Sequence, residues 1–195
     1  MLLAAALAGC GSAATAENEA NVATAAANEA AAPAAGNAAA GETAPGLQAM
    51  LSGNGIAAGT PGLHPSQFYQ FGRPRAEVLA AVTALRGRPT GSGSNEECGE
   101  GPIDFVDFGN LRLNFQQGRF VGWDASPGDP PLRDEWGLRI GSPRADLVEA
   151  DEPARIENST LGVEFEMNGM GGLLSSDAPD ATVTDLWAGL ICAFR

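Results

Sequence analysis

The sequence predicts an α+β fold built from two weakly repeated units, each a helical segment packed on a small antiparallel sheet. Two segments match at an offset of 69 residues: 71–78, Phe-Gly-Arg-Pro-Arg-Ala-Glu-Val, and 140–147, Ile-Gly-Ser-Pro-Arg-Ala-Asp-Leu. Each has a proline where a helix would begin and an acid in the following turn, which suits the positive end of a helix. Stretches that alternate apolar and polar residues follow each segment and predict strands. Helices on one face of such a sheet define an α+β domain.

The first residues indicate where the chain is targeted. An apolar run ends in Leu7-Ala8-Gly9-Cys10, which resembles the lipobox, the processing site of bacterial lipoproteins. The resemblance implies a signal peptide over residues 1–9, cleavage before Cys10, a diacylglycerol on the sulfur of Cys10 and palmitate as a fatty acid of the lipoprotein. Gly11, rather than Asp, is similar to the sorting pattern for the outer membrane. These features predict a lipid-anchored protein of the bacterial envelope that faces the periplasm.

The front of the predicted signal peptide departs from the usual pattern. Only nine residues precede Cys10, and none of them is Lys or Arg. Secretory signals normally begin with a positively charged region. We therefore expect that the natural chain starts upstream of Met1 or was trimmed.

Residues 10–62 are predicted to be the lipidated cysteine and a disordered tether. Alanine accounts for 17 of the 36 residues from 11 to 46, and that stretch has one valine and no aromatic residue. Such a composition cannot bury enough apolar surface to offset the entropy of ordering. Glycine and proline recur up to residue 62 and keep any helix short. The globular part is therefore predicted to begin at residue 63.

The globular part, 63–195, is predicted to be a tandem of units at about 64–135 and 136–195. In the first unit Val78, Val82 and Leu85 recur at helical spacing, and Gln117-Gly118 predicts a tight turn between two strands. The predicted strands lie at 103–108, 111–115, 119–123, 161–165, 182–187 and 190–194. The glycine-rich stretches 91–94 and 168–172 are interpreted as loops.

The order of these elements carries a second resemblance. A helix, a Gly-Pro break, a Leu-x-Leu-x-Phe strand at 111–115, a glycine turn and a Phe-Val-Gly-Trp strand at 120–123 are similar to small envelope lipoproteins of the SmpA/OmlA type. Two such units in tandem resemble the β-lactamase-inhibitory-protein-like fold. The resemblance covers most of residues 66–195 and lies in the topology. It implies an envelope domain, and no contact residue of either family carries over to this chain.

The charge of the chain argues against nucleic acid as a partner. The chain has 24 acidic and 11 basic residues, a net charge of −13, and all eleven basic residues are Arg. Neutralising phosphates requires a surplus of positive charge. The same deficit argues against electrostatic docking on an anionic membrane surface. The predicted membrane contact is therefore through the lipid anchor.

No catalytic residue, metal site or cofactor is predicted. His64 is the only imidazole in the chain, and no Gly-x-Ser-x-Gly motif accompanies it, so that a Ser-His-Asp triad lacks its other parts. A zinc site would need His64 together with Cys98, Cys192 and a carboxylate. Acidic residues are abundant, but their spacing matches no EF-hand and no pair stands out for carboxylate catalysis.

Cys98 and Cys192 remain if Cys10 is lipidated. In an exported protein, two remaining cysteines most simply form a disulfide. The bond would close a loop of about 95 residues and contribute roughly 4–5 kcal/mol in the chain-entropy treatment. A pair of free buried thiols is the alternative.

The residues predicted to bind a partner lie in and beside the Pro-rich acidic loop that follows residue 123: Asp124, Asp129, Asp134 and Trp136. Trp123 and Trp187 end corresponding strands of the two units and are interpreted as core residues. The expected function is a non-enzymatic protein-interaction module that binds an envelope protein through the sheet face or through these loops. The alternatives are an inhibitor of an extracytoplasmic hydrolase and a carboxylate-dependent hydrolase.

Overall fold

A computed structural model describes residues 46–60, 62–150 and 152–192. All of them belong to one compact unit, Ala38–Arg195. The predicted signal peptide, Cys10 and the tether up to residue 45 lie outside the described residues. The predictions for that part of the chain therefore stay predictions.

Eleven strands and two helices follow one another along the described residues. The strands are β1 (Gln48–Ser52), β2 (Gly55–Gly59), β3 (Gln67–Gln70), β4 (Gly91–Asn95), β5 (Ile103–Phe108), β6 (Leu111–Gln116), β7 (Arg119–Ala125), β8 (Arg155–Asn158), β9 (Val163–Met167), β10 (Met170–Leu174) and β11 (Val183–Gly189). The helices are α1 (Arg75–Arg86), between β3 and β4, and α2 (Arg144–Val148), between β7 and β8. Within the described part of the chain, neither helix is long and apolar enough to cross a membrane.

Eight strands form one antiparallel sheet in the order β4-β5-β6-β7-β11-β10-β9-β8. Each half is a four-stranded meander, and the halves meet where β7 pairs with β11. The other three strands form a separate antiparallel sheet in the order β1-β2-β3. The predicted turn at Gln117-Gly118 is confirmed: the two residues have φ of 51° and 72° and connect β6 to β7 as a two-residue hairpin.

The two matching segments before the helices make equivalent backbone hydrogen bonds. The N–H of Gly72 donates to the carbonyl of Phe120, and the N–H of Gly141 donates to that of Val183, both at 2.7 Å. Both glycines have φ of +88°, which residues with a Cβ rarely adopt. A proline then precedes each helix. The repeated Gly-x-Pro pattern thus ties the start of each helix to the last strand of the same half-sheet.

The core lies on one face of the eight-stranded sheet. α1 contributes Val78 and Val82, which are both fully buried. A bulge in β7 lets Phe120 and Trp123 both point into the core. The indole N–H of Trp123 donates to the carbonyl of Ser52 at 2.9 Å. This bond holds the three-stranded sheet on the face of the eight-stranded sheet against which α1 also packs.

The predicted α+β class is wrong, because the chain has a mostly-β fold: two antiparallel sheets and, among the described residues, two short helices. α1 has 12 residues and α2 has only 5. The second helix ends at Val148, and an acidic segment with Pro153 follows it. The described segments for which the sequence predicted neither a helix nor a strand contain further strands and no further helix.

Two of those strands, β4 and β10, occupy the glycine-rich stretches that were interpreted as loops. The glycines leave room for rings from neighbouring strands. A Cβ at Gly93 would lie 2.7 Å from the ring of Phe105, and a Cβ at Gly172 would overlap the ring of Phe165. The strand predicted at 190–194 is also wrong where it is described, because β11 ends at Gly189 and residues 190–192 lie outside any strand.

The tether ends earlier than predicted, because residues 48–59 form β1 and β2. Met50, Leu51 and Ile56 are at most 2% exposed. A segment of alanine, glycine and single aliphatic residues has a weak intrinsic preference for strands. Packing on the core of the larger sheet holds it in place, and the local sequence carries no signal for that packing.

Candidate functional site

The side chains that point away from the core define the outer face of the eight-stranded sheet. Directly opposed residues of an antiparallel sheet share a face, and the strand register yields one row that crosses all eight strands. From β4 to β8 this row consists of Gly91, Asp107, Arg112, Asp124, Trp187, Gly171, Glu166 and Arg155. A parallel row on the second half consists of Asp185, Leu173, Glu164 and Glu157. The outer face therefore gathers residues that are far apart in the sequence.

Arg112 anchors the first half of the long row. Its Nε and Nη2 donate to the two carboxylate oxygens of Asp107 at 2.7 and 3.2 Å. Its guanidinium carbon lies 4.0 Å from the centroid of the Phe105 ring. The hydrogen bond to Asp107 raises the pKa of Arg112. Because the ion pair is bidentate and stacked on a ring, this end of the row is rigid and its positive charge is already engaged.

Asp124 is the half-buried carboxylate in the middle of the row. It lies opposite Arg112 on β6 and opposite Trp187 on β11, and it accepts a 3.1 Å hydrogen bond from Nδ2 of Asn114. Burial raises the pKa of Asp124, although the bond from Asn114 and the charge of Arg112 act in the opposite direction. Desolvation thus disfavours the ionised carboxylate, and a cation that entered beside it would relieve that penalty.

Trp187 separates two clefts on the outer face. Gly171 lies opposite it on β10, and a Cβ there would overlap the indole ring, so that the ring lies across the neighbouring strand. The indole N–H donates no hydrogen bond to another described residue. The Asp124 cleft, of about 280 Å³, is lined by residues that include Asn114, Asp124, Asp185, Trp187, Ile191 and Cys192. The Glu166 cleft, of about 210 Å³, is lined by residues that include Arg155, Glu157, Glu164, Glu166 and Trp187.

The outer face is acidic. Its two rows contain six carboxylates and two arginines. Arg112 pairs with Asp107, and Arg155 pairs with Glu157, both at 2.7 Å. The two rows therefore carry four more negative than positive groups. A cleft that is lined by negative charges raises the local concentration of cations.

Residues 190–192, which we name the strap, cross the outer face after β11. The N–H of Leu190 donates to the carbonyl of Val121 at 2.8 Å. A Cβ at Gly122 would overlap the backbone of Leu190, so the strap lies directly on β7 because position 122 has no side chain. Ile191 and Cys192 then line the Asp124 cleft. The strap is therefore one wall of that cleft.

The four residues predicted to bind a partner do not form one surface. Asp124 lies on the outer face, whereas Asp134 is buried and 2% exposed. The Oδ1 of Asp134 accepts hydrogen bonds from the N–H groups of Trp136 and Leu138 at 2.9 and 2.8 Å. Burial raises the pKa of Asp134. Its carboxylate organises its own loop, and Leu51 of β1 bridges to that loop on the core side of the sheet.

The other two residues of this set are exposed but lie apart from the clefts. Trp136 is 66% exposed in the same loop as Asp134. Asp129 is exposed and precedes Pro130 through a cis peptide bond. His64 is also exposed, with its Nδ1 4.0 Å from a carboxylate oxygen of Glu135. Neither Asp129 nor Trp136 is among the residues that line the two clefts.

Cys98 and Cys192 lie side by side, 2.7 Å apart, and both are free thiols. Cys98, in the β4–β5 connection, is buried. Nδ2 of Asn95 donates to Sγ of Cys192 at 3.2 Å. The hydrogen bond between the two thiols, aided by burial, raises the pKa of Cys192 to about 11. The disulfide between these residues stays a prediction.

Trp187 is the site residue that sequence reasoning assigned to the core. Trp123 is fully buried, but Trp187 is half-buried on the opposite face, because Trp123 pairs with Ala188 and Trp187 pairs with Asp124. The sequence did contain a signal. Asp185 and Trp187 are two apart in one strand and share a face, and a carboxylate is rarely in a core.

Comparison with protein-family models, with curated proteins and with solved structures finds no match to this chain. Among the residues that the structure describes, no group of three or more His, Cys, Asp or Glu side chains could hold a metal ion. The most distinctive arrangement is the Asp124 cleft, where a desolvated carboxylate lies beside an indole ring on an acidic face. That arrangement is suited to holding an organic cation.

Proposed function

We propose that the protein is a lipid-anchored, non-enzymatic interaction module of the bacterial envelope, and that its outer face docks a basic segment of a partner protein. The observation that supports this proposal is the Asp124 cleft. It combines a half-buried carboxylate, an aromatic ring whose N–H has no partner among the described residues, and an excess of negative charge around them.

An arginine or lysine side chain of the partner enters the Asp124 cleft. Its charged group pairs with Asp124 and relieves the desolvation of that carboxylate. Its stem or its planar guanidinium lies against Trp187, which favours arginine through stacking. The surrounding carboxylates, Asp185 and Glu166 among them, increase the rate of encounter.

Charge selects a foreign segment over the predicted tether and over a second copy of the protein. Residues 11–45 contain four glutamates and no arginine, so that this segment would be repelled by the outer face. A second copy of the protein carries a net charge of −13 and would be repelled as well. Like charges across an interface cost several kcal/mol. The occupant is therefore a basic segment of another protein.

The predicted anchor serves this role by confining the module near the membrane. A flexible tether over residues 10–45 would have a root-mean-square span of roughly 30–35 Å. Tethering raises the effective concentration of the module toward partners in the same membrane. Docking of modest affinity is then sufficient.

The test measures binding of an arginine-rich peptide to protein labelled with 5-fluorotryptophan. The chain has three tryptophans, and their fluorine NMR signals report separately on the core, the outer face and the exposed loop. We expect the Trp187 signal to shift saturably and the signals of Trp123 and Trp136 to stay in place. A peptide in which citrulline replaces every arginine has the same shape without the charge and is expected to cause no shift. Added salt should weaken the binding.

Matched variants locate the site. Asp124→Asn should lower the affinity for the arginine-rich peptide by about tenfold. This corresponds to the loss of roughly 1.4 kcal/mol of binding free energy expected for a charge-assisted contact. Asp129→Asn makes the same change of charge on an exposed loop and should change the affinity less than twofold. The proposal would be overturned by a shift confined to Trp136, by equal effects of the two variants, or by the absence of binding.

The two alternatives, an inhibitor of an extracytoplasmic hydrolase and a carboxylate-dependent hydrolase, stay predictions. No specific contact among the described residues favours either of them.

A further inference from the structure

The strap and the two thiols form one continuous feature at the edge of the Asp124 cleft. The strap leaves β11 at Gly189, which has φ of +68°, and lies on β7 through the N–H of Leu190. It ends beside Asn95 and Cys98, where Cys192 is 2.7 Å from Cys98. Among the described residues, the contacts of Cys192 with Asn95 and Cys98 attach the far end of the strap to the first half of the sheet.

The positions of the two thiols suit a bond between Cys98 and Cys192. Cys98 is buried and Cys192 is half-buried, so that a reagent reaches Cys192 first. The two residues are 94 positions apart in the sequence, and a bond between them would join the first half-sheet to the end of the second. The pKa of Cys192 is raised to about 11, chiefly by its hydrogen bond with Cys98. The thiol of Cys192 is therefore neutral at neutral pH.

We propose that Cys98 and Cys192 are a dithiol–disulfide latch that holds the strap across the outer face and thereby controls the Asp124 cleft. The part of this proposal that concerns binding rests on the proposed function; the part that concerns the latch and the strap does not.

The oxidant is a disulfide of small-molecule or protein origin. Cys192 loses its proton, and its thiolate attacks one sulfur of that disulfide, which releases the first thiolate of the oxidant. The thiol of Cys98 then loses its proton and attacks Sγ of Cys192, which releases the second. One S–S bond forms in the protein and one breaks in the oxidant, so that two electrons leave the cysteines and reduce the oxidant to two thiols.

The closed latch fixes a wall of the cleft. Ile191 and Cys192 line the Asp124 cleft together with Asp124 and Trp187. With the bond formed, the strap cannot leave the sheet, and the cleft is organised before a cation arrives. Preorganisation of this kind strengthens binding because less motion is lost on association. The oxidised protein is therefore the form that binds a basic segment more tightly.

The test compares the full chain after equilibration with oxidised glutathione and after reduction. Peptide mass mapping without reductant is expected to find a peptide with Cys98 linked to Cys192. Hydrogen exchange at the amide of Leu190 is expected to be at least tenfold slower in the oxidised form. The arginine-rich peptide is expected to bind the oxidised form 3- to 10-fold more tightly. Cys98→Ser is the matched control, and reductant should change neither the exchange of Leu190 nor the affinity of that variant.

Each result has a distinct meaning. Absence of the linked peptide overturns the latch, and a linked peptide with unchanged exchange at Leu190 overturns its action on the strap. Equal affinities of the oxidised and reduced forms overturn its control of the cleft. If the peptide binds neither form, the proposed function fails, whereas a linked peptide and slowed exchange at Leu190 still support the latch.

Discussion

At the scale of single residues, the ionised carboxylate of Asp124 lowers the stability of the fold but favours the proposed binding of a cation. Burial raises the pKa of Asp124, which means that the folded state disfavours its ionised form. Its one hydrogen bond from a side chain, from Asn114, compensates only partly. A charged group that is kept at the expense of stability, in a cleft, is typical of a functional position.

We predict that Asp124→Asn raises the thermal midpoint of the peptide-free protein at neutral pH by about 2 °C. Asparagine can still accept the hydrogen bond from Asn114, but it has no charge to desolvate. Because the pKa of Asp124 in the folded protein lies above its ordinary value of 3.8, the penalty exists at pH values above the folded pKa. It disappears below 3.8, where the carboxyl is protonated in both states.

Scanning calorimetry of the variant and the native sequence from acid to neutral pH checks this prediction. The increase in thermal midpoint of Asp124→Asn should shrink as the pH falls and vanish near 3.8, the ordinary pKa of the aspartate. A lower midpoint for the variant at neutral pH would mean that the ionised carboxylate stabilises the fold.

At the scale of elements, β1 and β2 are part of the globular fold. β2 is buried along its whole length, and the indole N–H of Trp123 donates to Ser52 at the end of β1. Leu51 and Ile56 belong to the same core cluster as the residues of β6 and β7. The hairpin therefore covers the core of the larger sheet, although its own sequence resembles the tether.

We predict that a chain beginning at Gly46 keeps the stability of the full chain, whereas a chain beginning at Leu63 loses its cooperative unfolding transition. Burial of Met50, Leu51 and Ile56, each at most 2% exposed, contributes roughly 1.5–3 kcal/mol per side chain before the entropy of ordering is subtracted. The sum is comparable to the net stability of a typical domain, about 5–15 kcal/mol. Urea unfolding, monitored by tryptophan fluorescence, compares the two chains. Equal unfolding midpoints for both would contradict the prediction.

At the scale of the whole molecule, the pairing of β7 with β11 creates the candidate site. Asp124 lies in the first half of the sheet and Trp187 in the second, and they become neighbours only because these two strands meet. Each half alone would carry part of the row and part of each cleft. The tandem arrangement therefore does more than duplicate a unit, because the proposed binding site lies at the junction of the two halves.

The predicted lipid anchor also belongs to this scale. We predict that Cys10→Ala abolishes incorporation of radiolabelled palmitate and moves the protein from the membrane to the soluble fraction of a bacterial host. The thiol of Cys10 is the only acceptor that the lipobox resemblance implies, and the outer face offers no positive surface for anionic lipids. Cys98→Ala is the control, and it should keep both the label and the membrane location. Equal labelling of the Cys10→Ala variant would contradict the anchor.

Local features of the sequence predicted local features of the structure. The hairpin turn at Gln117-Gly118 and the strands on each side of it follow from turn chemistry and from alternation over a few residues. The Gly-x-Pro pattern predicted where both helices begin. Asp124 was chosen from the sequence as a candidate because of its acidic, proline-rich surroundings. Its place between Arg112 and Trp187 was not predicted.

The hairpin turn at Gln117-Gly118, the two helix starts and the acidic character of the chain could therefore be predicted from the amino-acid sequence. The side of the sheet that each side chain faces, and the identity of neighbouring strands, become clear in the folded chain. The physical reason is that side chains in a strand alternate with a period of two, so that one bulge, as in β7, changes the face of every residue beyond it. Pairing between strands about 60 residues apart, such as β7 and β11, depends on the packing of the whole core and leaves no local signal.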